Sequence, residues 1–291
     1  MNTQQVLHFT LAARLGSLAR AGAELGQSRS AVSMSISALE DQLGVSLFHR
    51  SGNAITLTQI GEALLEDCER LLAMEKRISR RCQLFHQTGE HRLCIARDDA
   101  LPESLWQEIL IEVKRTYPGL SLVVVLATPG ELPQQVASGA VDLGFGVSLP
   151  SHPEVRRWSL GEIRLQLVSD GSHPLAAQKA LTQEDLALNT QVTLASAGLS
   201  GVDTAHRLSS DFLGLSSFEQ IRDMVQQGVG WAWLPSPLLS ARLRRESLKV
   251  LDCQPNQQWQ SYQVCCRQQA SLGVVSESLC DRLSSSLAQY R

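Results

Sequence analysis

Apolar positions change their rhythm three times along the chain. Over residues 1–57 they recur at helical spacing in short stretches separated by polar, glycine-containing turns. Leu18–Leu25 reads as a short helix, Gly26-Gln27 as a turn, and Ser28 as the cap of a second helix running to Leu43. In that second helix Val32, Ile36, Leu39 and Leu43 share one face and are expected inside. Arg29, Ser30, Ser33, Met34 and Ser37 are left outward. Leu47-Phe48-His49-Arg50 and the hairpin-like stretch Ser51–Leu57 supply a wing.

Residues 58–88 form one long periodic segment. Leu64, Cys68, Leu71, Glu75, Ile78, Cys82 and Phe85 recur at the alternating four-three spacing of a coiled-coil seam, interrupted by Glu75 and widened by Leu65 and Leu72. A helix roughly 45 Å long, at 1.5 Å per residue, cannot bury such a stripe alone. A second copy of the same helix is the simplest partner, with packing on its own chain as the alternative. Cys68 and Cys82 in the seam read as small buried hydrophobes.

From Arg92 onward, strand-like apolar runs alternate with helical patterns, the mark of an α/β region with mainly parallel sheets. Strands are expected at Leu93–Arg97, Leu120–Leu126 and Asp142–Val147, with helices at Pro102–Tyr117 and Glu131–Ser138. The near-continuous apolar run at Leu120–Leu126 reads as a strand covered on both faces. A second α/β unit starts near Ile163, with strands at Leu165–Val168, Gln191–Leu194 and Val229–Leu234. Strand Tyr262–Cys266 and helix Leu272–Tyr290 return to the first unit. Two such lobes leave a cleft between them, a favoured place for a small ligand. Trp231 and Trp233 alternate on one strand and read as core.

Composition narrows the function. The net charge is −3, so any nucleic-acid surface is local. Residues 1–60 hold four arginines (14, 20, 29 and 50) against three carboxylates (24, 40 and 41), which leaves +1. No basic cluster leads into an apolar stretch near Met1, and no apolar run reaches the roughly 18–20 residues of a membrane span. A cytoplasmic protein with no membrane partner is expected. Seven cysteines, an odd number without metal-ligand spacing, fit a reducing compartment. No metal or cofactor is expected. An enzyme domain fused to a DNA-binding module lacks support, because no GxSxG, P-loop, GxGxxG or HExxH pattern is present. A solute-binding protein would share two lobes but would leave residues 1–60 unexplained.

A helix whose outer face is small, polar and once basic suits a major groove. The pattern of Phe9, Ser17, Ala21, Leu25, Ser28, Ala31, Ser33, Ile36, Leu39-Glu40, Leu43-Gly44, Leu47-Phe48, Arg50, Leu57-Thr58 and Gly61 resembles the LysR-type transcriptional regulators. So do His173-Pro174-Leu175-Ala176, Gly228-Val229-Gly230 and Leu234-Pro235 further along. The resemblance implies a winged helix-turn-helix over 1–57, a linker and dimerisation helix over 58–89, and a bilobed, periplasmic-binding-protein-like α/β effector domain over 90–291. Lobe I would span about 90–161 and 266–291, and lobe II about 162–265. The implied function is that of a sequence-specific regulator of double-stranded promoter DNA under a small-molecule effector, working as a homodimer or homotetramer.

The DNA-contact candidates are Ser28, Arg29, Ser30, Ser33, Met34, Ser37, Arg50 and Asn53. Leu39-Glu40 reads as supporting the fold. Arginine is usual in the family where Met34 and the wing tip Asn53-Ala54 stand, so few phosphate contacts are expected per subunit. Avidity must compensate. Gly22 stands where the family usually has alanine, at a helix-propensity cost of about 1 kcal/mol. By analogy with the family, an effector would meet Asp98-Asp99, Thr128-Pro129 and Ser196-Ala197-Gly198, with Phe145-Gly146 as floor. Two acids there favour a neutral or cationic effector, unless Asp99 merely caps the helix opening at Pro102. Peroxide-sensing relatives use a cysteine pair near Ser196–Leu208, and this chain has none there.

Overall fold

The computed structural model describes residues 1–51, 54–198, 201–204, 207–239 and 247–288, with the backbone alone for residues 50, 51, 54, 87, 197–198 and 201–203. The chain divides into two compact units, Met1–Gln83 and Leu84–Arg291.

In the first unit each helix start is satisfied from nearby residues. Helix α1 (Thr3–Leu15) opens on a reciprocal capping box between Asn2 and Gln5. Ser17 caps α2 (Leu18–Leu25), and Ser28 caps α3 (Arg29–Leu43). Between α2 and α3 the chain reverses at Gly26, whose φ of 66° a side chain would oppose. Gly22 is no simple propensity loss: a Cβ there would come within 2.7 Å of the Gln27 carbonyl oxygen. Its bare backbone lets α2 approach the turn, and its carbonyl accepts from Gln27 N at 2.8 Å.

Phe9, Ala21, Val32, Ile36 and Leu39 form a fully buried core, and the Phe9 ring lies 5.4 Å from that of Phe48. Leu43 is exposed, contrary to its helical spacing, because it ends α3 where the chain turns away at Gly44. Strands β1 (Phe48–Ser51) and β2 (Ala54–Leu57) pair antiparallel as the wing hairpin. Helix α4 spans Gln59–Thr88, and the division between the two units falls inside it.

The second unit is built on one ten-stranded sheet. Parallel strands β3 (Arg92–Arg97), β4 (Ser121–Leu126) and β5 (Leu143–Val147) form one half. Strands β7 (Gln191–Gly198), β9 (Phe212–Leu215) and β10 (Trp231–Pro235) run parallel in the other, and β8 (Gly201–Thr204) turns back on β7. The sequence signalled mainly parallel pairing, but two long antiparallel strands join the halves. β6 (Val155–Asp170) and β12 (Gln257–Arg267) pair from Val155 opposite Arg267 to Gln166 opposite Gln257. Beyond that pairing β6 continues against β10 and β11 (Leu248–Val250). The run read as a strand starting at Leu165 is thus the far end of a strand that began ten residues earlier.

Strand β4 lies at the sheet edge, and Val123, Val125 and Leu126 are exposed. It is therefore not covered on both faces. Among the described residues the unit also holds helices α5 (Glu103–Thr116), α6 (Leu132–Ala137), α7 (Pro174–Ala177), α8 (Gln183–Ala187), α9 (Phe218–Gln226) and α10 (Val274–Leu287). Trp106, Phe145, Tyr262, Val264 and Leu283 lie in its main core.

Candidate functional site

The outward row of α3 begins at its N-terminus, where the helix dipole favours anions. Ser28 Oγ accepts from Ala31 N at 3.1 Å and lies 2.9 Å from Ser30 Oγ, so Ser28 is committed to the cap. Arg29, Ser30 and Met34 are exposed, with Ser33 and Ser37 half-buried beside them. Arg50 pairs through its backbone with Ile55. Asn53 lies outside the described residues.

The hairpin is locked to α3 and α4 by side chains. Glu40 Oε1 accepts from Leu47 N at 2.7 Å and Phe48 N at 3.2 Å, giving Glu40 a structural task. Thr58 Oγ1 donates to Ser46 O at 2.7 Å and accepts from Gly61 N at 3.1 Å. Arg14 pairs with Glu69 at 3.5 Å, which offsets one of the few basic groups.

Along α4, Leu64, Leu65 and Cys68 pack against the first core. Farther along, Leu71, Met74, Ile78 and Phe85 are exposed in the single chain, Ile78 by 55%. Cys82 is exposed too, so it is no buried hydrophobe within its own chain. All seven cysteines are free. Burial pushes the Cys265 and Cys280 thiols up to about 12, which keeps them protonated and unreactive.

In the second unit a cavity of about 200 Å³ lies where the two halves of the sheet meet. Lobe I contributes Pro129, Gly130, Val147, Ser148 and Pro150. Lobe II contributes Thr193, Leu194, Ser196, Thr204, Phe218 and Trp233, and the joining strands bring Leu165 and Gln260. A Cβ on Gly130 would lie 2.5 Å from Ser196 Oγ, so the glycine permits the two lobes to touch at the cavity rim. Ser148 Oγ and Gln260 Oε1 are 2.6 Å apart, and Gln191 Oε1 accepts from Leu208 N and Ser209 N.

Among the sequence candidates, Pro129 and Ser196 line this cavity. Ala197 and Gly198 lie on β7, paired with β8, and their side chains lie outside the described residues. Asp98, Phe145 and Gly146 do not reach it. Phe145 packs edge-on against Trp106 with ring centres 5.5 Å apart, inside lobe I. The space over Gly146 is filled by Leu132, Leu149 and the Asp98 carboxylate.

Asp98 is 1% exposed and accepts from Val147 N at 2.7 Å and Ala100 N at 3.2 Å. Burial, opposed only in part by those amides, pushes its carboxyl up to about 7. Around it lies a cluster the sequence did not signal. Arg97 pairs with Glu103 and stacks over Trp106, and burial together with Asp98 holds the Tyr262 hydroxyl well above its ordinary value.

Asp99 has a different task from either reading of the sequence. It does not cap α5, which opens on Pro102 without a side-chain cap. Its carboxylate crosses to lobe II and accepts from Ser217 Oγ at 2.5 Å, Phe218 N at 3.0 Å and Glu219 N at 2.9 Å, the start of α9. Asp99 and Thr128 line a crevice with Glu131, Ser216 and Ser217, and Thr128 donates from N and Oγ1 to Glu131 Oε2.

Most cavity residues were missed because nothing local marks them. Phe218 and Thr204 are distant in sequence, and Gln260 sits on a joining strand. Trp231 is core, with Nε1 donating to Leu186 O at 2.9 Å. Trp233, read with it as core, is half-buried and faces the cavity as well.

Comparison with known proteins assigns both units. Residues 3–62 match the family model described as bacterial regulatory helix-turn-helix protein, lysR family, and residues 86–288 match that of the LysR substrate binding domain. A probable RuBisCO transcriptional regulator from Porphyra purpurea is 29% identical over 244 residues, 79% of this chain and 77% of the relative. The regulator TfdT of Cupriavidus pinatubonensis is 27% identical over 191 residues, 64% of this chain and 82% of its own length. Among solved structures, a probable transcriptional regulator from Pseudomonas aeruginosa has the same fold, with a TM-score of 0.65 at 18% identity and 97% of each chain covered. A hydrogen peroxide-bound OxyR variant from Corynebacterium glutamicum gives a TM-score of 0.60 at 19% identity, covering 99% of this chain and 95% of its own.

Proposed function

The chain belongs to the LysR family of DNA-binding transcriptional regulators, and from that premise we propose how its parts divide the work. Helix α3 enters the major groove of promoter DNA, with Arg29, Ser30, Ser33, Met34 and Ser37 toward the bases and Ser28 fixing the helix start. Arg50 and Asn53 on the wing follow the neighbouring backbone. Two chains pair through the apolar seam of α4, and two such pairs form a tetramer whose several α3 helices supply by avidity the affinity that one weakly basic unit lacks. A small molecule in the cavity between the lobes sets the output. The protein works in the cytoplasm. No helix among the described residues is long and apolar enough to cross a membrane.

The observation that carries this reading is the division of α3 into two faces. Val32, Ile36 and Leu39 are fully buried, and the opposite row is led by Arg29 and made of serines with one exposed methionine, Met34. Nuclease protection on the DNA upstream of the chain's own gene tests it. Full-length protein should protect half-sites separated by whole helical turns, about 10–10.5 base pairs or multiples of that. Unbroken, sequence-independent coverage, or no protection at all, would overturn it.

A further inference from the structure

Three observations bear on what the cavity can hold. Among its described lining residues none is charged; the walls are aliphatic side chains, the rings of Phe218 and Trp233, and the neutral groups of Ser148, Thr193 and Gln260. The two carboxylates in the adjoining crevice, Asp99 and Glu131, are both engaged by donors: Glu131 by Thr128, and Asp99 by Ser217, Phe218 and Glu219. The first turn of α9, where a dipole and free amides would otherwise attract an anion, is filled by a carboxylate from the facing lobe.

Resting on the reading of this cavity as the effector site, we propose that its ligand is an uncharged small molecule, because Asp99 already supplies the carboxylate that an acidic ligand would bring. An acid beside Phe218 meets amides already satisfied by Asp99, and the negative charges of Asp99 and Glu131 in the crevice alongside. A cation gains nothing inside the cavity, where no described carboxylate faces it. What remains favourable is an apolar or aromatic body against Trp233 and Phe218, with neutral donors and acceptors meeting Thr193, Ser196 and Gln260. The size agrees with a single ring: cavities of roughly 150 Å³ hold benzene.

Matched probes that differ only in charge test this on the full-length protein: benzamide, benzoate and benzamidine, titrated by calorimetry. Wild type should bind benzamide at least tenfold more tightly than either ion, and Ser196→Trp, which fills the cavity, should abolish that binding. In Asp99→Ala the benzoate affinity should rise at least tenfold, with a smaller rise in Asp99→Asn, which keeps a neutral acceptor for the α9 amides and guards against loss of folding. If wild type binds benzoate or benzamidine as tightly as benzamide, and Ser196→Trp abolishes it, the charge argument is overturned and the cavity reading stands. Binding that survives Ser196→Trp overturns the cavity reading itself. If wild type holds none of the three, the aspartate variants decide: benzoate binding gained on removing the carboxylate supports the proposal, and none gained overturns it.

Discussion

Asn2, Ser17 and Ser28 each cap the helix that begins at the next residue, reaching an amide three positions on. In the effector domain Asp99 reaches across 118 residues to Ser217 at the start of α9, and Glu90 reaches Val275 N at 2.7 Å and Ser276 Oγ at 2.6 Å at the start of α10. The N-terminal unit thus satisfies its helix ends locally, and Arg29, Ser30 and Met34 stand exposed along α3. The effector domain also has local caps, Thr182 on α8 and Ser217 on α9, but it adds distant carboxylates at α9 and α10, so charge that looks available for a ligand is consumed inside the fold. Asp99 ties lobe I to lobe II, whereas Glu90 fastens α10 within lobe I.

The largest effect that sharpens this contrast lies on α4. Replacing Leu71 and Ile78 together with Lys should disperse the assembly in sedimentation and lower DNA affinity by roughly 10²–10⁴-fold through lost avidity. Circular dichroism should stay unchanged, since both residues are exposed in the single chain. An intact oligomer would show that the seam is not the interface. Next, Phe145→Ala should lower the stability of the effector domain by about 3–5 kcal/mol in denaturant titration, the cost of emptying a buried aromatic site. A ligand-floor residue would instead change binding with little change in stability.

Gly22→Ala should destabilise the N-terminal unit by about 1–3 kcal/mol, because the added methyl meets the Gln27 carbonyl. Stabilisation through helix propensity would contradict that packing. A gentler effect concerns Asp98. Its folded-state pKa of about 7 stands above the ordinary carboxyl value, so the folded domain binds that proton more tightly than the unfolded chain. Its contribution is complete below about pH 4 and is lost as pH rises through 7. The stability of wild type should fall relative to Asp98→Asn over that interval, and parallel pH profiles for the two proteins would refute the assignment.

The same contrast explains what the sequence disclosed. Ser17, Ser28 and the Val32, Ile36, Leu39 stripe act within a few residues of themselves, so spacing revealed both the helices and their inward face. Leu43 broke the rule only because a helix end removes its cover. The four-three repeat of α4 was legible for the same reason. Asp99 bridges to a helix that starts at Phe218, which no local pattern ties to it. Alternation located the strand carrying Phe145 without telling whether that ring faces the cavity or Trp106. β4 looked doubly covered because apolar composition does not say which strand lies at a sheet edge. Trp233, Thr204 and Gln260 meet only after β6 and β12 cross between the lobes.

That α3 reads bases through its outward N-terminal residues is the central claim, and Arg29 tests it most directly. Wild type and Arg29→Ala would be titrated on a randomised operator library at two salt concentrations. The account predicts a loss of about 1–3 kcal/mol on the preferred sites, with preference relaxed at one base position and the salt slope little changed. A uniform loss on all sequences with a salt slope reduced by about one would move Arg29 to a phosphate. Equal affinity of the two proteins on every site would contradict the claim.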